Sequence, residues 1–79
     1  MKILVRREAV LPLLAKRNLS QNHLAIKMRL TSGYVSQLLR GQRCPSPKVR
    51  ERLQKLLGED FDSLFEVEEV HEAVKIARQ

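Results

Sequence analysis

Four residues suited to begin helices divide this chain into short segments with helical periodicity. These residues are Ser20, Thr31, Ser46 and Asp60. Each stands directly before a segment in which apolar residues recur every three or four positions. A side-chain oxygen at such a position accepts a hydrogen bond from a backbone N–H that the first helical turn leaves unpaired. Successive caps are only 11 to 15 residues apart. The chain must therefore build its core from several short helices.

Residues that end helices complete this division. Gly41 and Gly58 lie where the apolar periodicity stops, and glycine is the residue that most easily adopts the left-handed conformation after a helix. Pro47 follows Ser46, in the first helical position, where an N–H would be unpaired in any case. The predicted helices are 21–28, 32–39, 47–57 and a short one after Asp60 that covers one end of the core.

The first helix has two possible arrangements. Apolar residues recur at helical spacing between Glu8 and Arg17, but Pro12 lies among them and has no N–H to donate. Either the helix begins near Ala9, with Pro12 in its first turn, or it is kinked at the proline. We expect the first arrangement.

The two ends of the chain also allow alternatives. Residues 2–6 hold a β-favouring run that is too short for a helix and suits an edge strand or an ordered arm. Residues 66–79 place apolar side chains at three- and four-residue spacings, as in an amphipathic helix: Val67, Val70, Val74 and Ala77. A strand through 65–67 that pairs with 3–5 competes with the beginning of that helix.

Length and composition allow one small domain with one core. The chain has 79 residues, of which 43% are apolar. We predict an all-α fold class, with a compact five-helix domain over residues 1–65. A C-terminal extension over residues 66–79 is either a helix or a short strand paired with the N-terminus.

Charge is distributed unevenly. Residues 1–58 carry 13 Lys and Arg against two acids, a net charge of +11, whereas residues 59–79 carry a net charge of −5. A basic body suits a polyanionic partner, because each neutralised phosphate releases condensed counterions. Basic residues that only solvate the surface would give the same composition. Charge therefore favours a nucleic-acid partner without deciding it.

No residues form a recognisable catalytic or metal-binding set. His23 and His71 lack neighbouring ligands at metal-binding spacing, and Cys44 has no evident base partner. A single cysteine excludes an intrachain disulfide, and no signal-peptide pattern or long apolar run is present. We expect a cytoplasmic protein that is not an enzyme, has no cofactor or metal, and does not enter a membrane.

Two of the predicted helices, 21–28 and 32–39, are joined by a turn short enough for a helix-turn-helix. This stretch resembles the motif of the lambda-repressor/Cro-like (Xre) family, which reads Gln-x-x-x-Ala-x-x-x-Gly-x-x-x-x-x-Val/Ile-Ser and continues to a basic residue and Gly. Six positions match it: Gln21, Ala25, Val35, Ser36, Arg40 and Gly41. The resemblance covers about residues 7–65, because SPKVRERLQKLLG and DFDSLFE look like the family's fourth and fifth helices.

One position departs from the family's motif. Arg29 stands where the family prefers glycine, because the backbone there is usually left-handed. A residue with a side chain in that conformation costs on the order of 1 kcal/mol. The same residue places a positive charge near the expected DNA face.

The resemblance implies a mode of DNA binding. A helix-turn-helix lays its second helix in the major groove while its first helix crosses the backbone. The family's base-reading positions fall on Ser32, Gly33, Tyr34 and Gln37. Gln37 can bond adenine bidentately, Tyr34 can contact a thymine methyl or a phosphate, and Gly33 would let the backbone approach the bases. Alternatively, Gly33 is tolerated near a helix start and Tyr34 is a partly exposed surface ring.

Phosphate contacts are implied around this helix. Gln21 and the N-terminal amides of helix 21–28 carry them by resemblance. Other candidates lie at the start of helix 32–39 and around the loop after it: Thr31, Arg40, Arg43, Lys48 and Arg50. Each of these could equally be an ordinary solvated side chain. Arg6 and Arg7 could reach the DNA as an arm.

The resemblance implies a sequence-specific, double-stranded DNA-binding transcriptional regulator of bacterial or phage type, most simply a repressor. One domain of this size meets one half-site, so a homodimer is expected. The apolar positions of residues 66–79 would form its seam or pack on their own core. Activation through polymerase stays open. Two alternatives are an antitoxin whose C-terminal segment binds a toxin, and a helix-turn-helix used only for protein interaction.

Overall fold

Five short helices and a two-stranded sheet make up the computed structural model, which describes residues 1–69. In chain order the elements are β1 (Lys2–Val5), α1 (Arg7–Lys16), α2 (Gln21–Met28), α3 (Ser32–Leu39), α4 (Pro47–Leu57), α5 (Phe61–Leu64) and β2 (Phe65–Glu68). The predicted bounds of α2, α3 and α4 are confirmed.

All four predicted caps make their hydrogen bonds. Each side-chain oxygen accepts from the backbone N–H three residues later: Ser20 from His23 at 3.1 Å, Thr31 from Tyr34 at 3.1 Å, Ser46 from Val49 at 3.3 Å, and Asp60 from Ser63 at 2.9 Å. The hydrogen bonds from Ser63 lower the pKa of the Asp60 carboxyl. Because a cap and its donor are close in sequence, local chemistry alone sets these helix starts.

Helices α1 to α4 all end in the same way. A residue with positive φ follows each helix: Asn18 at 56°, Arg29 at 59°, Gly41 at 74° and Gly58 at 66°. The N–H of the next residue then bonds to a carbonyl five residues back, for example Leu30 to Ala25 at 2.9 Å. These bonds pair carbonyls that the last turn leaves free. The left-handed backbone predicted for Arg29 is confirmed.

The expected start of α1 is wrong. The helix begins at Arg7 rather than near Ala9, so Pro12 lies in its interior instead of its first turn. Its start is fixed from far away in sequence, because the N–H of Arg6 donates to the carbonyl of Leu64 at 2.7 Å. Because Pro12 has no N–H, the carbonyl of Glu8 lacks its usual hydrogen bond within the helix. Both residues are exposed, so water can donate to this carbonyl instead.

The sheet joins the two ends of the described chain. Strands β1 and β2 are antiparallel, with Ile3 opposite Val67 and Val5 opposite Phe65. The strand alternative for the C-terminal extension is therefore confirmed, and no helix begins at residue 66. Val5 and Phe65 are buried side by side, which ties the sheet to the core. The predicted helical positions Val70, Val74 and Ala77 lie outside the described residues.

The core is built mainly from aliphatic side chains of β1 and of helices α1 to α4, at the spacing of a strand or a helix. Helix α5 adds Leu64 and strand β2 adds Phe65. Ala25 is only 2% exposed on α2, the helix that packs against α3. A small side chain there lets the two helices approach closely. A void of only about 10 Å³ remains among the core side chains, which is too small to hold a ligand.

Three arginines connect distant elements through backbone carbonyls. The donors and acceptors are Arg6 Nε to Asp62 and Phe65 at 3.1 and 3.0 Å, Arg17 Nη2 to Leu57 at 2.6 Å, and Arg52 Nη1 to Met28 at 3.1 Å. Arg17 and Arg52 thus place a cation at the negative C-terminal ends of α4 and α2. Arg6 is held against the fold and is not the free arm that the sequence suggested.

Candidate nucleic-acid interface

Helix α3 has one face in the core and one face toward the surface. Val35, Leu38 and Leu39 are buried, as predicted. Ser32 and Gly33 are exposed, and Gln37 is half-buried one turn further along. Residues four apart lie on the same side of a helix, so Gly33 and Gln37 share the outward side.

Tyr34 lies between these two faces. Its ring is half-buried and packs against the edge of the core. Its backbone N–H donates to Thr31, which holds the first turn of α3 in place. The ring therefore contributes to packing and still presents part of its surface next to Ser32 and Gly33.

Nothing within the described chain requires glycine at position 33. A Cβ added there would meet no atom within 4 Å, and the residue does not have a positive φ. Glycine in a helix is less favourable than alanine by roughly 0.5–1 kcal/mol. Gly33 thus has a cost for the helix with no compensating contact inside residues 1–69.

The predicted phosphate-contacting residues lie at the start of α2, at both ends of α3, and in the loop and helix that follow. Gln21 is exposed at the first position of α2, and the exposed Thr31 uses its hydroxyl oxygen as an acceptor, so its hydroxyl proton can still be donated. Arg40 ends α3, and Arg43 and Lys48 are exposed in the loop and the first turn of α4. Within residues 1–69 the ion pair found joins Lys55 to Glu51, so none of these three cations has a carboxylate partner there.

Arg50 differs from the other predicted phosphate contacts. Its side chain is half-buried, and Nη1 donates to the carbonyl of Pro45 at 3.2 Å. Arg50 therefore helps to fix the loop between α3 and α4. A guanidinium has five donors, so this hydrogen bond leaves others available.

A second group of cations is not evident from the sequence. Lys27 and Arg29, at the end of α2, meet Arg52 of α4 around an open pocket of about 260 Å³ that Met28 also lines. We call it the α2–α4 pocket. Arg29 stands out in the sequence as a departure from the family's motif, but Arg52 is distant in sequence. Only the packing of α4 beside α2 brings them together.

Residues 1–69 offer neither a membrane-spanning helix nor a metal-binding cluster. No helix there has the length and apolar character needed to cross a membrane. No three His, Cys, Asp or Glu side chains in that range are grouped to hold a metal ion. The ring of His23 instead completes the cap of α2, because Nδ1 accepts a hydrogen bond from the backbone N–H of Ser20 at 3.5 Å and lies 3.1 Å from Ser20 Oγ.

Comparison with known proteins agrees with this geometry. The family model described as "Helix-turn-helix" (HTH_3) matches residues 13–64, from within α1 to the end of α5. Searches of curated proteins and of solved structures gave no match. The matched region is well over half of the chain and includes both helices of the motif. The chain therefore belongs to the Xre/lambda-repressor-like helix-turn-helix family of DNA-binding regulators.

Proposed function

We propose that this protein is a sequence-specific transcriptional regulator that reads the major groove of double-stranded DNA with α3. The outward side of α3 carries the proposal, because Ser32, Gly33 and Gln37 combine a small hydroxyl, an open backbone and an amide there. Gln37 bonds an adenine edge bidentately, and Gly33 admits the helix backbone close to the bases. Tyr34 supplies an aromatic edge beside them.

We further propose that polar and cationic side chains near α3 set its position on the duplex. Gln21 and Thr31 bond phosphate oxygens on one side of the groove, and Arg40, Arg43 and Lys48 bond those on the other. Arg50 fixes the loop that carries Arg43 and directs its remaining N–H groups to the same backbone. These contacts give affinity but no sequence preference.

Regulation then follows from occupancy. A cytoplasmic homodimer, made from domains over residues 1–65 and joined through the extension over 66–79, covers two half-sites about one DNA turn apart. Val67, which keeps 50% of its surface exposed on β2, supports a role for this end of the molecule in pairing. Repression by steric exclusion requires no further domain.

The test is selection of duplexes from a random pool, followed by fluorescence anisotropy with wild type, Gln37→Ala and Gln54→Ala. Gln54 is also half-buried, but on α4, so it controls for the loss of a glutamine. We expect Gln37→Ala to lose about 1–3 kcal/mol on the selected sequence alone. The proposal fails if no sequence is enriched, or if Gln37→Ala and Gln54→Ala behave alike.

A further inference from the structure

We infer that the α2–α4 pocket is a second phosphate-binding subsite, which holds the backbone of the duplex beside the bases that α3 reads. Its ligand is a phosphodiester oxygen of double-stranded DNA. The inference rests on the proposed function and adds a phosphate-binding residue at a position where the family prefers glycine.

The cations that line the pocket form no ion pair with a carboxylate within residues 1–69. Three of its four lining residues are cations, and the fourth, Met28, is buried in the core. Arg52 is oriented by its hydrogen bond to the Met28 carbonyl, while Lys27 and Arg29 are exposed and make no side-chain hydrogen bond or ion pair within residues 1–69. Like charges that converge around an open pocket repel one another until an anion enters it.

The backbone of Arg29 gives a second, independent argument. Its φ of 59° is a conformation that glycine adopts without strain and arginine does not. Strained backbone conformations of this kind cluster at ligand-binding and other functional sites. The Arg29 side chain makes no hydrogen bond or ion pair within residues 1–69 that offsets this strain, and a phosphate bound in the pocket would supply such an interaction.

The position of the pocket favours DNA as that partner. Arg29 is two residues before Thr31, the cap of α3, and two residues of chain span at most about 7 Å. A duplex seated on the first turn of α3 therefore brings phosphates within reach of a long arginine side chain. A protein partner is less suitable, because the centres of protein–protein interfaces are depleted of charged residues, and three of the four residues that line this pocket are cations.

The decisive experiment neutralises both sides of the interaction. Methylphosphonate replacement removes the charge of one phosphate at a time along the selected duplex, and binding is measured for wild type, Arg29→Gly and Lys27→Gln. Arg29→Gly keeps the left-handed turn without strain, so loss of folding does not confuse the result. Lys2→Gln removes the same charge from an exposed residue of β1, outside the pocket and the predicted interface.

We expect one flanking phosphate whose neutralisation weakens wild-type binding by about threefold or more. Arg29→Gly should weaken binding to the unmodified duplex by the same factor and then be insensitive to that phosphate. The slope of log K against log salt should shrink by about 0.9 for each phosphate that the variant no longer neutralises. Lys2→Gln should keep the wild-type slope and the wild-type response.

The outcomes separate this inference from the proposed function. If Gln37→Ala loses the selected sequence but Arg29→Gly and Lys27→Gln bind as wild type does, the pocket is not a phosphate site and the proposed function stands. If the two pocket variants instead lose an acidic protein partner while DNA binding is unchanged, the pocket is a protein-docking site and the inference is wrong. If wild type binds no duplex, both proposals fail.

Discussion

Gly33 is the residue at which stability and DNA binding have opposite requirements. It lies in α3 with open space around it, so Gly33→Ala should raise the free energy of unfolding by about 0.5–1 kcal/mol. The added methyl group would stand between the helix backbone and the bases, so affinity for the selected duplex should fall several-fold. Urea denaturation and fluorescence anisotropy measure the two effects on one preparation.

Gly41→Ala provides the matched control for this prediction. Position 41 is equally open, but its φ of 74° is left-handed, so the same substitution should lower stability by about 1 kcal/mol. The two alanine variants should therefore change stability in opposite directions. A Gly33→Ala protein that is more stable and binds DNA as tightly as wild type would mean that glycine is only tolerated there.

Sequence predicts residue roles well when the partners are close together. Ser20, Thr31, Ser46 and Asp60 each bond a backbone N–H three residues away, so a short pattern contains both partners. The hydrogen bonds of Arg6, Arg17 and Arg52 cannot be predicted in this way, because their carbonyl partners lie 24 to 59 residues away. An arginine that holds the fold and one that could bind phosphate look the same in the sequence.

At the scale of elements, helix bounds were predictable where local residues set both ends. Helices α2, α3 and α4 begin at side-chain caps and end at left-handed residues. Helix α1 lacks a side-chain cap, and its start depends on the bond between Arg6 and Leu64. Periodicity carries no information about that bond, so it predicts a start near Ala9, whereas the helix begins at Arg7.

The helix ends also predict an order of stability. Asn18 and Arg29 close α1 and α2 with nearly equal φ values, 56° and 59°. Asparagine tolerates this conformation better than arginine does, so Arg29→Gly should stabilise the fold by about 1 kcal/mol and Asn18→Gly by less. Thermal unfolding of the two variants gives the order directly. Equal gains, or a loss for Arg29→Gly, would contradict strain at Arg29.

At the scale of the whole molecule, the basic charge has two uses, and Arg50 and Arg52 serve in both. Arg6, Arg17 and Arg52 connect the sheet and helices to one another, and Arg50 fixes the loop before α4. The exposed cations near α3 have no such hydrogen bonds within residues 1–69. A net charge of +11 over residues 1–58 therefore overstates the surface that is free to meet DNA.

Arg6 provides the test of this division. Arg6 lies between β1 and α1, and its side chain donates to the carbonyls of Asp62 in α5 and Phe65 in β2. It therefore connects the beginning of the chain to these two elements. Arg6→Ala should lower the free energy of unfolding by about 1–2 kcal/mol, because two carbonyls lose a charged donor. Arg7→Ala, at the neighbouring exposed residue, should leave stability within about 0.5 kcal/mol of wild type.

Measured where both variants are folded, Arg6→Ala should keep the affinity and the salt slope for the selected duplex, since its charge acts inside the fold. If Arg6→Ala instead leaves stability unchanged and reduces the slope by about 0.9, Arg6 binds a phosphate as an arm, and its hydrogen bonds to Asp62 and Phe65 are not what holds the two ends of the chain together.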